Sequence, residues 1–343
     1  MKPTRGAALK PRLLIVELWG LGDLIIATPF IRAAVQQYAV TLLAKPFAAE
    51  MRPYLWPEVE VFSFIAPWTA FRFSSKYALW RWPWMRMWQL TRELRARQFD
   101  CAVSGRWGDP RDHLLLQVTG ARQRLGFPRL QSGLCLTQSL TQPDPLAHRS
   151  EYWRAIAQPL GLNLPTRDQI TPPARTPGST VFIHSGARLP ARIWPLPNFR
   201  AIAQRLRARN IPVQIACDPN QVDWWRQQGE TVACPRNVDD LHALLEHAAL
   251  FIGNCSGPGH FAAVCGVPTF TLYGPSLPEW WAPLHPAAEW IEGKACPYKP
   301  CSDYCHFATS ECLVKISADE AWQSIEKFVG RHLPLTAPRL AAV

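Results

Sequence analysis

No stretch of the chain runs for the roughly 18 apolar residues that a membrane-crossing helix needs, so none is expected. A secretory leader is not expected either. After MKPTRGAALKPR the apolar run LLIV meets Glu17 and enters Gly20-Leu21-Gly22-Asp23 with no small-residue cleavage site. Cysteine, at 10 in 343 residues, is too sparse for a disulfide scaffold. The first glycine turn is not G-x-G-x-x-G, which weakens a dinucleotide-binding reading. No short repeat and no recognised nucleic-acid motif is visible. Acid is scarce: 26 Asp+Glu stand against 37 Lys+Arg, a net charge of +11. The deficit is local. Residues 1–170 hold 22 basic and 12 acidic side chains, and the remainder holds 15 and 14. A basic first half favours a polyanion such as nucleic acid, an anionic membrane or a phosphorylated glycolipid. With 48% hydrophobic residues and 18% charged, most of the chain is neither disordered nor of low complexity.

A length of 343 residues suits two domains. Residues 13–18 (LLIVEL) read as a buried strand carrying one acid, and a helical segment interrupted by Pro29 runs from Asp23 to about Tyr38. Residues 40–44, 59–64 and 100–104 read as further strands with helical stretches between them. Residues 161–179, rich in Pro, Thr and Gly, read as a linker. The pattern then restarts with TVFIHSG, the helix PNFRAIAQRLRAR, VQIAC (213–217), DDLHALLEHA, ALFIG (249–253), PTFTLYG and a last helix near 317–331. Alternation of strand and helix implies parallel sheets covered on both faces, and two such domains place the natural cleft between them.

Three constellations carry candidate chemistry. After ALFIG comes Asn254-Cys255-Ser256-Gly257-Pro258-Gly259-His260. Ser256 suits an N-cap and Pro258 a first helical turn, so this is either a capped strand–helix turn or an anion site built from free amides. His184-Ser185-Gly186-Ala187-Arg188, followed by Arg192, also ends a strand. Arg192 suits bidentate phosphate contact and is equally consistent with a solvated loop arginine. Asp23 at a helix start is most often an N-cap; at the mouth of a cleft it suits a general base.

Together these pieces resemble the lipopolysaccharide heptosyltransferases, glycosyltransferase family 9. LLIVELWGLGDLIIATPFIRA resembles the family opening, and FDCAVSGRWGDPRDHLLLQVTGARQRLGF its middle segment. VFIHSGARLPARIWPLPNF and GNCSGPGHFAAVCGVPTFTLYGPS resemble its two later blocks, and the cysteine cluster before the last helix is a common family feature. The resemblance implies an α/β GT-B fold of two Rossmann-like domains with parallel sheets facing across a cleft. Its expected parts are an acceptor-binding domain at 1–165, a nucleotide-sugar domain at 166–316, and a closing helix and tail at 317–343 packing back toward the first domain. It implies inverting transfer of a sugar, usually heptose from ADP-heptose, onto a lipopolysaccharide core acceptor, with no cofactor required. Asp23 takes the catalytic-base position. Ser185, Gly186, Arg188, Arg192, Cys255, Ser256, Gly257 and His260 fall in the donor site. Gly22, Arg106 and Arg111 are the acceptor candidates.

Two departures stand out: the family usually has Lys at Arg192 and Asp at Cys255. Loss of that acid motivates the alternative of a catalytically weakened nucleotide-sugar or glycan-binding protein of the same fold. The stretch 77–98 interleaves Trp80, Trp82, Trp84 and Trp88 with Arg81, Arg86, Arg92, Arg95 and Arg97. Four tryptophans so close are more than one helix face buries, so partial exposure is expected, against an inner membrane surface rather than nucleic acid. The protein is therefore expected in the cytoplasm, peripheral on the inner face of the membrane. Cys296, Cys301, Cys305 and Cys312 are spaced C-x4-C-x3-C-x6-C, an imperfect match to zinc spacings. Free thiols are favoured over metal ligands, and no metal is assigned.

Overall fold

The computed structural model describes residues 10–69, 79–107, 109–301 and 305–333. The start of the 77–98 stretch, at 77 and 78, and the tail from 334 lie outside the described residues. The chain divides into two compact units, 1–164 and 165–343.

In the first unit the strands are β1 (Arg12–Glu17), β2 (Ala39–Ala44), β3 (Glu60–Ser63), β4 (Cys101–Trp107), β5 (Gln123–Phe127) and β6 (Gln138–Ser139). They form one sheet in the order β3-β2-β1-β4-β5-β6, with every pair parallel. The helices are α1 (Leu21–Ile26), α2 (Thr28–Gln37), α3 (Phe47–Leu55), α4 (Trp84–Ala96), α5 (Pro110–Val118) and α6 (Ser150–Ala157). β1 reads LLIV through its centre because both faces of the sheet are covered by helices, and Leu13 to Val16 are fully buried. The segment after β1 is two helices, not one. It breaks at Ala27, which puts Pro29 in the first turn of α2, where its missing N–H costs nothing.

The second unit repeats the plan. Its strands are β7 (Thr180–His184), β8 (Val213–Ala216), β9 (Val232–Ala233), β10 (Ala248–Asn254), β11 (Thr269–Tyr273) and β12 (Ala288–Glu292). The sheet order is β12-β11-β10-β7-β8-β9, again parallel throughout. The helices are α7 (Leu196–Arg207), α8 (Val222–Gln227), α9 (Val238–Glu246), α10 (Gly257–Val264), α11 (Pro278–Trp281), α12 (Glu311–Val314) and α13 (Ala318–His332). Val181, Ile183, Phe199, Ile252 and Phe270 share one core with Ala321, Ile325, Phe328 and Val329 of α13.

Numbered within its own unit, each sheet follows the Rossmann order 3-2-1-4-5-6. Strand order reverses between β1 and β4 in the first unit and between β7 and β10 in the second. Ligands of such sheets bind outside the carboxyl ends of the strands at that reversal. Among the described residues no helix is long and apolar enough to cross a membrane.

Candidate active site

At the first reversal, β1 ends in Glu17 and the chain turns through Trp19 and Gly20 into α1. Asp23 sits in the first turn of α1 rather than at its cap. Its Oδ2 accepts the Gly20 N–H at 2.9 Å, reaching back to an otherwise unsatisfied helix-start donor. Its Oδ1 accepts a 3.1 Å bond from the Arg106 guanidinium. Arg106 comes from the end of β4, where the ladder with β5 loses register between Val103 and Trp107. Such an irregularity re-aims side chains. Gly105 is required beside it, because a Cβ there would lie 2.5 Å from the Trp153 ring. The Arg106 guanidinium lies over the Trp19 ring, 3.8 Å from its centroid. Sequence spacing alone could not bring Arg106 and Asp23 together, since they are 83 residues apart.

Behind this pair stand two buried carboxyls. Burial pushes Glu17 up to about 8, with Asp23 adding to the rise; Arg106 and the Trp19 N–H pull the other way. Glu17 is therefore largely protonated at neutral pH, and its Oε1 accepts the Trp19 N–H at 3.1 Å. Asp112 of α5 is raised to about 6, first by burial and then by Asp109, against the Trp68 and Trp19 indoles and Arg106. It accepts the Trp68 indole N–H at 3.0 Å and that of Trp19 at 3.4 Å. Arg149 is buried, donates to the Tyr152 hydroxyl at 3.2 Å, and feels both Asp23 and Arg106. Arg111 is turned instead onto Asp109, with 3.0 Å bonds to both carboxylate oxygens. The acid within the apolar run of β1 was the sequence signal for Glu17. Asp112, Trp68 and Arg149 carried none.

At the second reversal the loops after β7 and β10 are tied by Asn254. Its amide donates to the Ser185 carbonyl at 2.9 Å and its Oδ1 accepts the Trp194 N–H at 3.0 Å. Ser185 is fully buried. Its hydroxyl donates to Gln221 at 2.9 Å and accepts from the Trp225 indole at 3.1 Å, so it braces the loop. Gly186 is needed for close approach, because a Cβ would fall 2.4 Å from the Asp218 carboxyl carbon. Ser256 is the N-cap residue of α10 but makes no side-chain cap bond. Its hydroxyl is buried and has no hydrogen-bond partner among the described residues. Such a buried group costs free energy until a partner arrives. The Ser276 hydroxyl is held against the Cys255 thiol. Gly257 opens α10, and His260 lies buried one turn in. Arg192 reaches electrostatically to Cys255 and Tyr273, whereas Arg188 is exposed. Burial pushes the Cys255 thiol up, opposed by Arg192, so it is a neutral thiol at physiological pH. Tyr273, Ser276 and Lys299 complete this neighbourhood, and sequence reasoning had not marked them.

The late cysteines are free thiols, with Cys312 buried and Cys296, Cys301 and Cys305 half-buried. Among the described residues no three His, Cys, Asp or Glu side chains come together as metal ligands.

Two Rossmann-ordered sheets, with a carboxylate at one reversal and a glycine-bearing helix start at the other, match the family suggested by the motifs. The glycosyltransferase family 9 (heptosyltransferase) model matches residues 87–308, well over half of the chain. The chain belongs to glycosyltransferase family 9. Lipopolysaccharide heptosyltransferase 3 of Escherichia coli strain K12 is 32% identical over 113 residues, covering 30% of this chain and 33% of that protein. The chain thus matches about a third of the length of that curated relative. A family 9 glycosyl transferase from Veillonella parvula superposes with a TM-score of 0.76 at 18% identity, covering 95% of this chain and 100% of that one. The E. coli heptosyltransferase WaaC with ADP gives 0.72 at 17%, covering 92% and 99%. The family 9 chain therefore has the α/β GT-B fold, two Rossmann-like units each built on a parallel six-stranded sheet.

Proposed function

We propose that the chain is an inverting glycosyltransferase that moves a sugar from a nucleotide-diphospho-sugar, heptose from ADP-heptose being the leading donor, onto a lipopolysaccharide core-type acceptor. The observation that carries this reading is Asp23. Its carboxylate stands at the first sheet reversal, oriented by the Gly20 N–H and by Arg106. Each oxygen accepts one bond and keeps a second lone-pair direction for an incoming hydroxyl.

In the proposed step Asp23 takes the acceptor hydroxyl proton as that oxygen bonds to the anomeric carbon. The bond from that carbon to the diphosphate oxygen breaks on the opposite face, so configuration inverts and the nucleoside diphosphate departs. The second unit would hold the donor. The amides at the start of α10, the Ser256 hydroxyl and Arg192 suit a diphosphate, and together they would meet the charge that grows on the leaving group. Gly186 lets its loop pack against Asp218, and His260 lies buried one turn behind the helix start. Gly22, Arg106 and Arg111 border the acceptor side, where a phosphorylated sugar would compete for cations now held by Asp23 and Asp109. No cofactor takes part in these steps. The basic first half suits an acceptor carried in an anionic membrane, which would give the enzyme a peripheral cytoplasmic position.

Cys255 supports a second reading, a weakened enzyme that binds the nucleotide-sugar or glycan without fast transfer. One experiment separates the two. Asp23→Asn keeps the shape and should abolish transfer while donor binding, read by thermal shift with ADP-, UDP- and GDP-sugars, stays near wild type. Undiminished transfer in that variant would remove the base assignment; donor binding without transfer in the wild type would favour the weakened enzyme.

A further inference from the structure

The exposed side of α4 and the turn before it is unlike the rest of the first unit. α4 turns Leu90 and Leu94 inward, where both are buried. Its outer stripe carries Trp84, Trp88, Arg92 and Arg95, at the four- and three-residue spacing that stacks side chains on one face. Trp84 and Trp88 are 51% and 55% exposed, and Trp80 on the preceding turn is 81% exposed. Leu79 and Met85 beside them are exposed as well. The Arg92 guanidinium lies over the Trp88 ring at 4.7 Å, and Arg81 is exposed on the turn. Glu93 is the only acid of α4, and the helical angle sets it away from this stripe.

This face is anchored from below. Trp82 stacks on Trp84 at 5.3 Å and lies 5.6 Å from Trp68, whose indole is fixed on Asp112. The Trp84 indole N–H donates to the Leu79 carbonyl at 2.7 Å. A surface that holds three large rings, a methionine and a leucine in water loses free energy unless something apolar covers it.

We propose that the 79–95 face is a docking surface for an anionic phospholipid bilayer. Indole rings settle at headgroup depth, Leu79 and Met85 reach the acyl boundary, and Arg81, Arg92 and Arg95 meet lipid phosphates. Stacking on nucleic-acid bases would use the rings but leave Leu79 and Met85 in water. The inference rests on the proposed lipid-borne acceptor for its purpose, but its test needs neither donor nor acceptor.

The full chain is sedimented with vesicles of phosphatidylcholine alone and of phosphatidylcholine mixed with phosphatidylglycerol. Partition should favour the mixed vesicles and weaken as salt rises. A cation near such a surface is worth about fivefold in partition, so Arg81→Gln with Arg92→Gln should lose roughly 25-fold. Trp80→Ala with Trp88→Ala should lose as much or more, and the donor thermal shift should be unchanged in both pairs. Because all four side chains are exposed, the fold should persist; if either pair unfolds, the other decides. Wild-type partition in the folded variants, or no binding to mixed vesicles, overturns the proposal. So does retention of single-stranded DNA at the same salt without vesicle binding. Failure of the wild type to bind any nucleotide-sugar would count against the proposed function and leave the vesicle result standing.

Discussion

Glu17→Gln isolates the energetic cost of keeping a carboxyl beneath the base. Glu17 is 5% exposed and its carboxyl is raised to about 8 from an ordinary 4.5, chiefly by burial and then by Asp23. Between those two values the native state holds a proton that the unfolded chain has released. Stability therefore declines as pH rises from about 4.5 to 8 and levels off above. At about 1.4 kcal/mol per pKa unit the loss has a ceiling of about 5 kcal/mol. Glutamine keeps the Oε1 that accepts the Trp19 N–H and cannot ionise. Urea unfolding of both proteins at pH 5, 7 and 9, followed by tryptophan fluorescence, should give nearly equal stabilities at pH 5. The variant should gain steadily above that, by a few kcal/mol at pH 9. Asp112, raised to about 6, costs both proteins stability alike as pH rises from about 3.8 to 6, so only the difference between them is read. A difference that stays constant from pH 5 to 9 would refute the claim that Glu17 is held protonated.

Three further changes test neighbouring parts. Arg106→Gln removes the cation on Asp23 and the contact with Trp19, and should lower kcat about 10- to 100-fold with a smaller effect on donor KM. Ser256→Ala removes a buried hydroxyl that has no hydrogen-bond partner among the described residues, so it should leave stability unchanged or higher while weakening donor binding; an unchanged donor dissociation constant would take that hydroxyl out of the site. Gly186→Ala drives a methyl into Asp218 and should cost about 1–3 kcal/mol on urea unfolding of the second unit.

The central strands were legible because sheets buried on both faces demand apolar runs. Residues 13–18 and 249–253 lie within a residue or so of β1 and β10. Four outer strands were not. β5 opens with Gln123 and Arg124, β12 carries Glu289 and Glu292, and β6 and β9 are two residues each. Their pairing is set by a neighbour already in place rather than by their own pattern. The site divides the same way. Asp23 and the loop at Asn254–Gly257 follow directly from strand–glycine–helix punctuation. The Arg106 pairing depends on a break in the β4–β5 ladder, and the brace from Asn254 to the Ser185 carbonyl spans 69 residues; neither leaves a local trace. The tryptophan stretch was partly legible. Ring crowding implied exposure, but Trp82 turning in toward Trp68 is a tertiary fact.

The strand pairings of the two units have a consequence for synthesis. Every ladder of the first sheet joins strands between residues 12 and 139, so nothing from the second unit is needed to complete it. That unit can close on the ribosome while the remainder is still being translated. The second cannot follow the same timetable. Its core includes Ile325, Phe328 and Val329 of α13, which follows all six of its strands, so its hydrophobic face waits open until α13 leaves the exit tunnel. Slow translation or truncation ahead of α13 should therefore leave a finished first unit joined to a sticky, half-built second one.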